Sequence, residues 1–134
     1  MATYTENYGL HQWEATDNFL RTDFNTDFEM IDEALGVKAE AITGTYSGNG
    51  GTSTRTISLG FRPRAVMVTR ADGAMPSMTG SLYICGGLIL DGHALTFSGS
   101  KAAEIVEGGF QIKSNGEALR MNDKGIKYHY AAVK

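Results

Sequence analysis

Phe24, Phe28, Ile31 and Leu35 follow one another at spacings of 4, 3 and 4. That is the rhythm of one helix face or of a heptad seam. Thr22 or Asp23 is placed to cap this helix, and Thr16-Asp17 to cap a short helical turn running to Arg21. Asp23 and Asp27 suit the positive start of the helix, and Gly36 is placed to end it. A helix of about fourteen residues is marginal alone in water. The stripe must therefore pack on something, either the chain's own β domain or a small helical bundle.

From Ala41 the rhythm changes. Strand-like runs predict Ala41–Ser47, Ser53–Leu59, Ala65–Arg70, Leu82–Leu90, Ala94–Phe97, Phe110–Ser114, Ala118–Met121 and Ile126–Val133. AVMVTR, apolar at consecutive positions, reads as a central strand, and Gly86-Gly87 as a bulge or break. SKAAEIVE, residues 100–107, fits one helical turn or an irregular strand. Asn49-Gly50, Asp72-Gly73, Asp91-Gly92 and Asn115-Gly116 favour tight hairpin turns, because both residue types tolerate positive φ. In the last run Ile126, Tyr128, Tyr130 and Ala132 share a face that is expected to meet the core, with the hydroxyls at its edge. The fold class is mainly β: an antiparallel β-sandwich over residues 37–134, preceded over residues 1–36 by an extended arm and a short helix.

Charge sharpens that division. Residues 1–36 hold one arginine against eight carboxylates, a balance of −7, and residues 37–134 hold eleven Lys and Arg against seven carboxylates, a balance of +4. The two parts are expected to face different partners, or each other's copies. An acidic total without a basic stripe argues against nucleic-acid binding. No run reaches the ~18 apolar residues of a membrane span, and MATYTENYGLHQWEAT lacks the basic start and apolar stretch of a secretory signal. Residues 1–15 carry Tyr4, Tyr8 and Trp13, too many aromatics for a free tail. They fold back on their own domain or dock on another subunit.

Candidate chemistry is sparse. GNGGTS, from Gly48 to Ser53, has the wrong spacing for a phosphate loop, and a strand rather than a helix follows it, so it reads as a hairpin tip. There is no nucleophile elbow. His11, His93 and His129 lie in separate segments without ligand spacing; one histidine per chain on a threefold axis is the remaining route to a metal, with His129 the first suspect. Cys85, the sole cysteine, reads as a small buried hydrophobe. Glu104 and Glu107 read as a solvated face rather than a glycosidase pair. Arg55, Arg62, Arg64 and Arg70 face solvent, the acidic arm of a neighbour or an anionic glycan. No catalytic residue, metal site or cofactor is expected.

TENYGLHQWEATDNFLRTDFNTDFEMIDEAL resembles the N-terminal segments of phage tail and virion-surface proteins, in which an aromatic NYGL element leads to a D-F-N-x-x-F-x-x-I-D pattern. TGTYSGNGGTSTRTISLGFRPRAVMVTR and GGFQIKSNGEALRMNDKGIKYHYAAVK are similar to the opening and close of a β domain frequent in phage tail-fibre proteins. The resemblance implies a non-enzymatic virion protein, made in the host cytoplasm and exposed on the particle. It implies a tail-fibre or tail-tip role in host attachment, or alternatively a capsid decoration or head fibre. Phe24, Phe28, Ile31, Leu35, Tyr8 and Trp13 are then the expected assembly residues. They would join copies of the chain, a trimer being the first expectation, or other virion proteins. Loops at Asn49 (Gly48–Thr52), Asp72 (Ala71–Met78) and Asn115 (Asn115–Glu117) are the expected contacts to a host glycan or protein.

Overall fold

The computed structural model describes residues 1–74 and 82–134; the far end of the loop predicted over Ala71–Met78 lies outside the described residues. The chain divides into two compact units, Met1–Ala39 and Glu40–Lys134.

In the first unit, β1 (Thr3–Tyr4) and β2 (His11–Gln12) pair antiparallel. The backbone of this segment is extended, as expected, but doubles back on itself. Thr5 closes the connection, its hydroxyl accepting from Leu10 N at 2.9 Å. Asp17 does not open a helical turn to Arg21. Its carboxylate instead accepts from Glu14 N at 2.8 Å, and its own N–H donates to Glu14 O, closing a tight turn. Helix α1 spans Arg21–Gly36 with Leu20 as the uncapped N-terminal neighbour. Thr22 and Asp23, the expected caps, lie inside the first turn, where Asp23 still complements the helix dipole. Gly36 is the last helical residue, but right-handed Val37 provides the C-terminal cap, its N–H donating to Glu33 O at 3.1 Å while Lys38 N donates to Leu35 O at 3.3 Å. The glycine is not used for a left-handed stop.

The second unit is mainly β, and its sheets are antiparallel. Its strands are β3 (Ala41–Ser47), β4 (Arg55–Ser58), β5 (Ala65–Arg70), β6 (Gly87–Leu90), β7 (Leu95–Phe97), β8 (Ser100–Val106), β9 (Gly109–Ile112) and β10 (Lys127–Val133). They form two four-stranded sheets, ordered β3-β10-β5-β6 and β4-β9-β8-β7. Val66, Val68, Ile89, Tyr128 and Ala132 from the first sheet meet Ile57, Ala103, Ile105, Phe110 and Ile112 from the second in one buried cluster. This is the layered arrangement that a period of two on each strand produces.

Several sequence expectations change here. Of residues 100–107, Ser100–Val106 form strand β8, the irregular strand rather than the helical turn, with a register shift opposite Leu95 and Thr96 and with the adjacent Ala102 and Ala103 both buried. Ala118–Met121 joins neither sheet and makes only isolated bridges, Leu119 with Ile84 and Arg120 with Ser114. The largest correction concerns Asn49-Gly50. β3 and β4 do not pair with each other; β3 pairs with β10 and β4 with β9. The segment is thus a crossing between sheets, not a hairpin tip. Gly48 is held too closely for a turn at the surface: a Cβ there would strike Asp123 O. Tight antiparallel turns occur at Ser98-Gly99, where φ is 49° and 77°, at Glu107-Gly108, and at the expected Asp91-Gly92, where Leu90 bridges His93.

Candidate functional site

The stripe on α1 is the feature with the least internal explanation. Phe28 and Leu35 are 55% and 63% exposed, while the only buried residue of the helix is Asp27, at 8%. Asp27 lies about 60° round the helix from the stripe. It accepts from His11 N at 3.0 Å through Oδ2, and its Oδ1 lies 2.8 Å from His11 Nδ1. The hairpin therefore docks on an aspartate beside the stripe and leaves the stripe open. A carboxylate taken from water needs such partners.

Apart from Tyr8, the aromatic side chains of this unit form one connected ladder. Tyr4 lies 5.0 Å from His11, His11 stacks on Trp13 at 5.5 Å, and Trp13 meets Phe19 at 4.7 Å. Phe19 reaches Phe24 at 5.5 Å, and Phe24 meets Phe28 edge-on at 4.6 Å. Of the six expected assembly residues, Trp13, Phe24 and Phe28 are joined by this ladder. Ile31 and Leu35 continue the stripe, and Tyr8 is exposed in the connection between β1 and β2. His11, Phe19 and Asp27 were not legible as members. His11 and Phe19 precede the helix, and Asp27, although four residues before Ile31, is a carboxylate whose partner lies 16 residues earlier.

The loop candidates are built differently from the expectation. Asn49 Oδ1 accepts from Gly51 N at 2.9 Å and from Asn122 Nδ2 at 2.6 Å. Asn115 Oδ1 accepts from Glu117 N and Leu119 N at 3.0 and 2.8 Å. Asp72 accepts from Arg70 at 2.7 Å and from Ala74 N at 3.0 Å. Each side chain shapes its own loop. The Arg70 guanidinium holds the Asp72 carboxyl at about 2, below the ordinary range.

Arg55, Arg62 and Arg70 each have their own partners. Arg62 grips Asp91 through two nitrogens, at 3.2 and 2.7 Å, and Arg55 donates to Ser47 O and Asn122 Oδ1 at 2.7 and 2.9 Å. Glu104 is engaged by Lys101 at 2.7 Å, and Glu107 is an exposed residue 3.9 Å from Arg62. Cys85 is buried, and its burial pushes the thiol up, which disfavours the nucleophilic thiolate.

A second open surface has no counterpart in the sequence expectations. On the outer face of the first sheet, Ala41, Val133, Ala65 and Leu90 align across all four strands, and Thr43, Ala131, Met67 and Leu88 align beside them. Neither row contains a charge. Met67, Leu88 and Leu90 are 44%, 51% and 42% exposed. The signal was present in AVMVTR: a strand apolar at consecutive positions has two apolar faces.

Among the described residues, no helix is long and apolar enough to cross a membrane. The chain matches no protein-family model, and neither the curated proteins nor the solved structures contain a significant match to it.

Proposed function

We propose that the chain is a non-enzymatic structural component of a bacteriophage particle. The acidic unit joins it to copies of itself or to other virion proteins, and the β unit faces outward at a tail fibre or tail tip, against the host surface. The observation that carries this reading is the open stripe on α1. Phe24, Phe28, Ile31 and Leu35 all remain exposed, with Phe19 against Phe24, within a unit of only Met1–Ala39. Exposed apolar surface of that density is characteristic of interaction sites. Burying each large side chain is worth roughly 1.5–3 kcal/mol, enough to offset the ordering cost of association. The sequence resemblance to phage tail and virion-surface proteins supplies the particle context.

Two measurements test the proposal. Gold-labelled antibody against the β unit is expected to decorate tails of intact particles. Decoration of heads would favour the capsid-decoration alternative, and purified particles without the protein would refute both. Removal of residues 1–39 should leave a folded β unit that neither self-associates in light scattering nor enters particles. A truncated chain that still assembles would remove the role assigned to the acidic unit.

A further inference from the structure

We infer that the outer face of the β3-β10-β5-β6 sheet receives helix α1 of a second copy of this chain. The inference rests on the assembly role proposed above and names the surface that completes it. Three observations carry it.

First, the two surfaces match in kind. The sheet offers two complete uncharged rows, and α1 offers one uncharged stripe of four large side chains. A helix laid on a sheet face is a stable layer arrangement. A shallow groove of about 360 Å³ already runs over Thr43, Thr45, Met67, Thr69, His129 and Ala131.

Secondly, the charges match in place. α1 holds Arg21 against Asp23, Asp27, Glu29, Asp32 and Glu33, a balance of −4. Arg64 directly precedes Ala65 at one end of the uncharged rows, and Lys127 pairs with Ser47 beyond the other. Neither Arg64 nor Lys127 makes an ion pair among the described residues, whereas Arg62, Arg70 and Lys101 are each held by a carboxylate. At the first end Glu40 faces Lys134 and Asp91 is held by Arg62, which leaves Arg64 there and Lys127 at the other end as the cations without an ion pair beside this face.

Thirdly, every copy carries one helix and one receiving face. Exchange between copies therefore closes in equal numbers, as symmetric oligomers require. A sheet-to-sheet contact would leave the helices open, and a helix-to-helix contact would leave the sheet faces open.

Light scattering with chromatography on the full chain tests this with Ile31→Glu and Leu88→Glu, both at exposed positions, with circular dichroism to verify folding. Each variant alone is expected to weaken association by about a hundredfold or more, since each places a carboxylate in an apolar contact. An equimolar mixture should form a one-to-one dimer, because the Leu88→Glu copy still has an intact helix and the Ile31→Glu copy an intact face. If Leu88→Glu associates as tightly as the unaltered chain while Ile31→Glu does not, the helices pair with each other. The assembly role then stands and this inference fails. If neither substitution matters, or the unaltered chain is monomeric, both fail. A mixture that stays monomeric also overturns the exchange. Should Leu88→Glu misfold, Arg64→Glu combined with Lys127→Glu leaves the rows intact. That variant is expected to weaken association about tenfold, and unchanged affinity would overturn the inference.

Discussion

Tyr46 and Tyr128 are register partners on β3 and β10, and their rings stack at 4.9 Å with an interplanar angle of 10°. Both hydroxyls reach the same neighbouring segment. Tyr46 donates to Met121 O at 2.9 Å; Tyr128 donates to Arg120 O at 2.8 Å and accepts from Asp123 N at 3.2 Å. Two rings of one sheet thus tether a stretch of chain that joins neither sheet.

Removing one hydroxyl tests that tether. Tyr128→Phe keeps the ring but strands a carbonyl and an N–H, at a cost of about 1–3 kcal/mol. Tyr128→Ala also leaves a cavity and should cost about 3–5 kcal/mol. Urea denaturation of the full chain gives both values. An unchanged midpoint for Tyr128→Phe would contradict the tether.

The same pair predicts sensitivity to alkali. Burial pushes the phenols of Tyr46 and Tyr128 above their ordinary value. In the unfolded chain they ionise near pH 10, while in the fold they stay protonated. Above that pH the unfolded state binds fewer protons, so stability that is fully present below about pH 10 declines as pH rises. Urea midpoints should fall between about pH 9 and pH 11, and fall less in the Tyr46→Phe, Tyr128→Phe double variant. Equal slopes in parent and variant would contradict the assignment.

Asp27 should govern the first unit alone. Asp27→Ala removes both contacts to His11 and is expected to cost about 1.5–3 kcal/mol, the range for bonds to a charged group. Trp13 is the only tryptophan, so its emission reports this unit without interference. A red shift with an unchanged β-sheet spectrum is the expected outcome. Unshifted emission would mean that the hairpin docks without the aspartate.

Asn122 holds the crossing between sheets. Its side chain donates to Asn49 Oδ1 and Gly51 O, and accepts from Asn49 N and Arg55 Nη1, at 2.6 to 3.2 Å. Asn122→Ala should cost about 1–3 kcal/mol for the groups left unpaired. It should also release the segment to trypsin at Arg55. Resistance equal to the parent's would argue that the backbone bonds from Gly48 and Gly50 suffice.

Local pattern is legible where local contacts decide the structure. AVMVTR is strand β5 from Ala65 to Arg70, and the alternation in the last strand places Tyr128 fully inside with Tyr130 packed at the core's margin. Asn49-Gly50 misled because such a pair reports permissive backbone angles and not the partner of the next strand. Here Asn122, 73 residues away, decides that the chain crosses over. The four-residue stripe on α1 was visible, but its exposure was not. That depends on Asp27 meeting His11, 16 residues earlier, and no period encodes such a meeting. The outer face of the first sheet was missed for a related reason. Its rows exist only once four separate strands are set in register.

β10 lies between β3 and β5, although every other strand precedes it in the sequence. Its pairs reach back from Lys127–Val133 to Ala41–Ser47 and to Ala65–Arg70. During synthesis these two segments emerge long before the strand that bridges them, and they must wait with their edges unsatisfied. Closing that sheet carries the entropy of a long loop, which makes formation slow. Until the strand inserts, Ala41–Ser47 and Ala65–Arg70 offer uncovered edges to other nascent chains. The same strand order that makes the finished sheet continuous leaves the growing chain dependent on the arrival of Lys127–Val133.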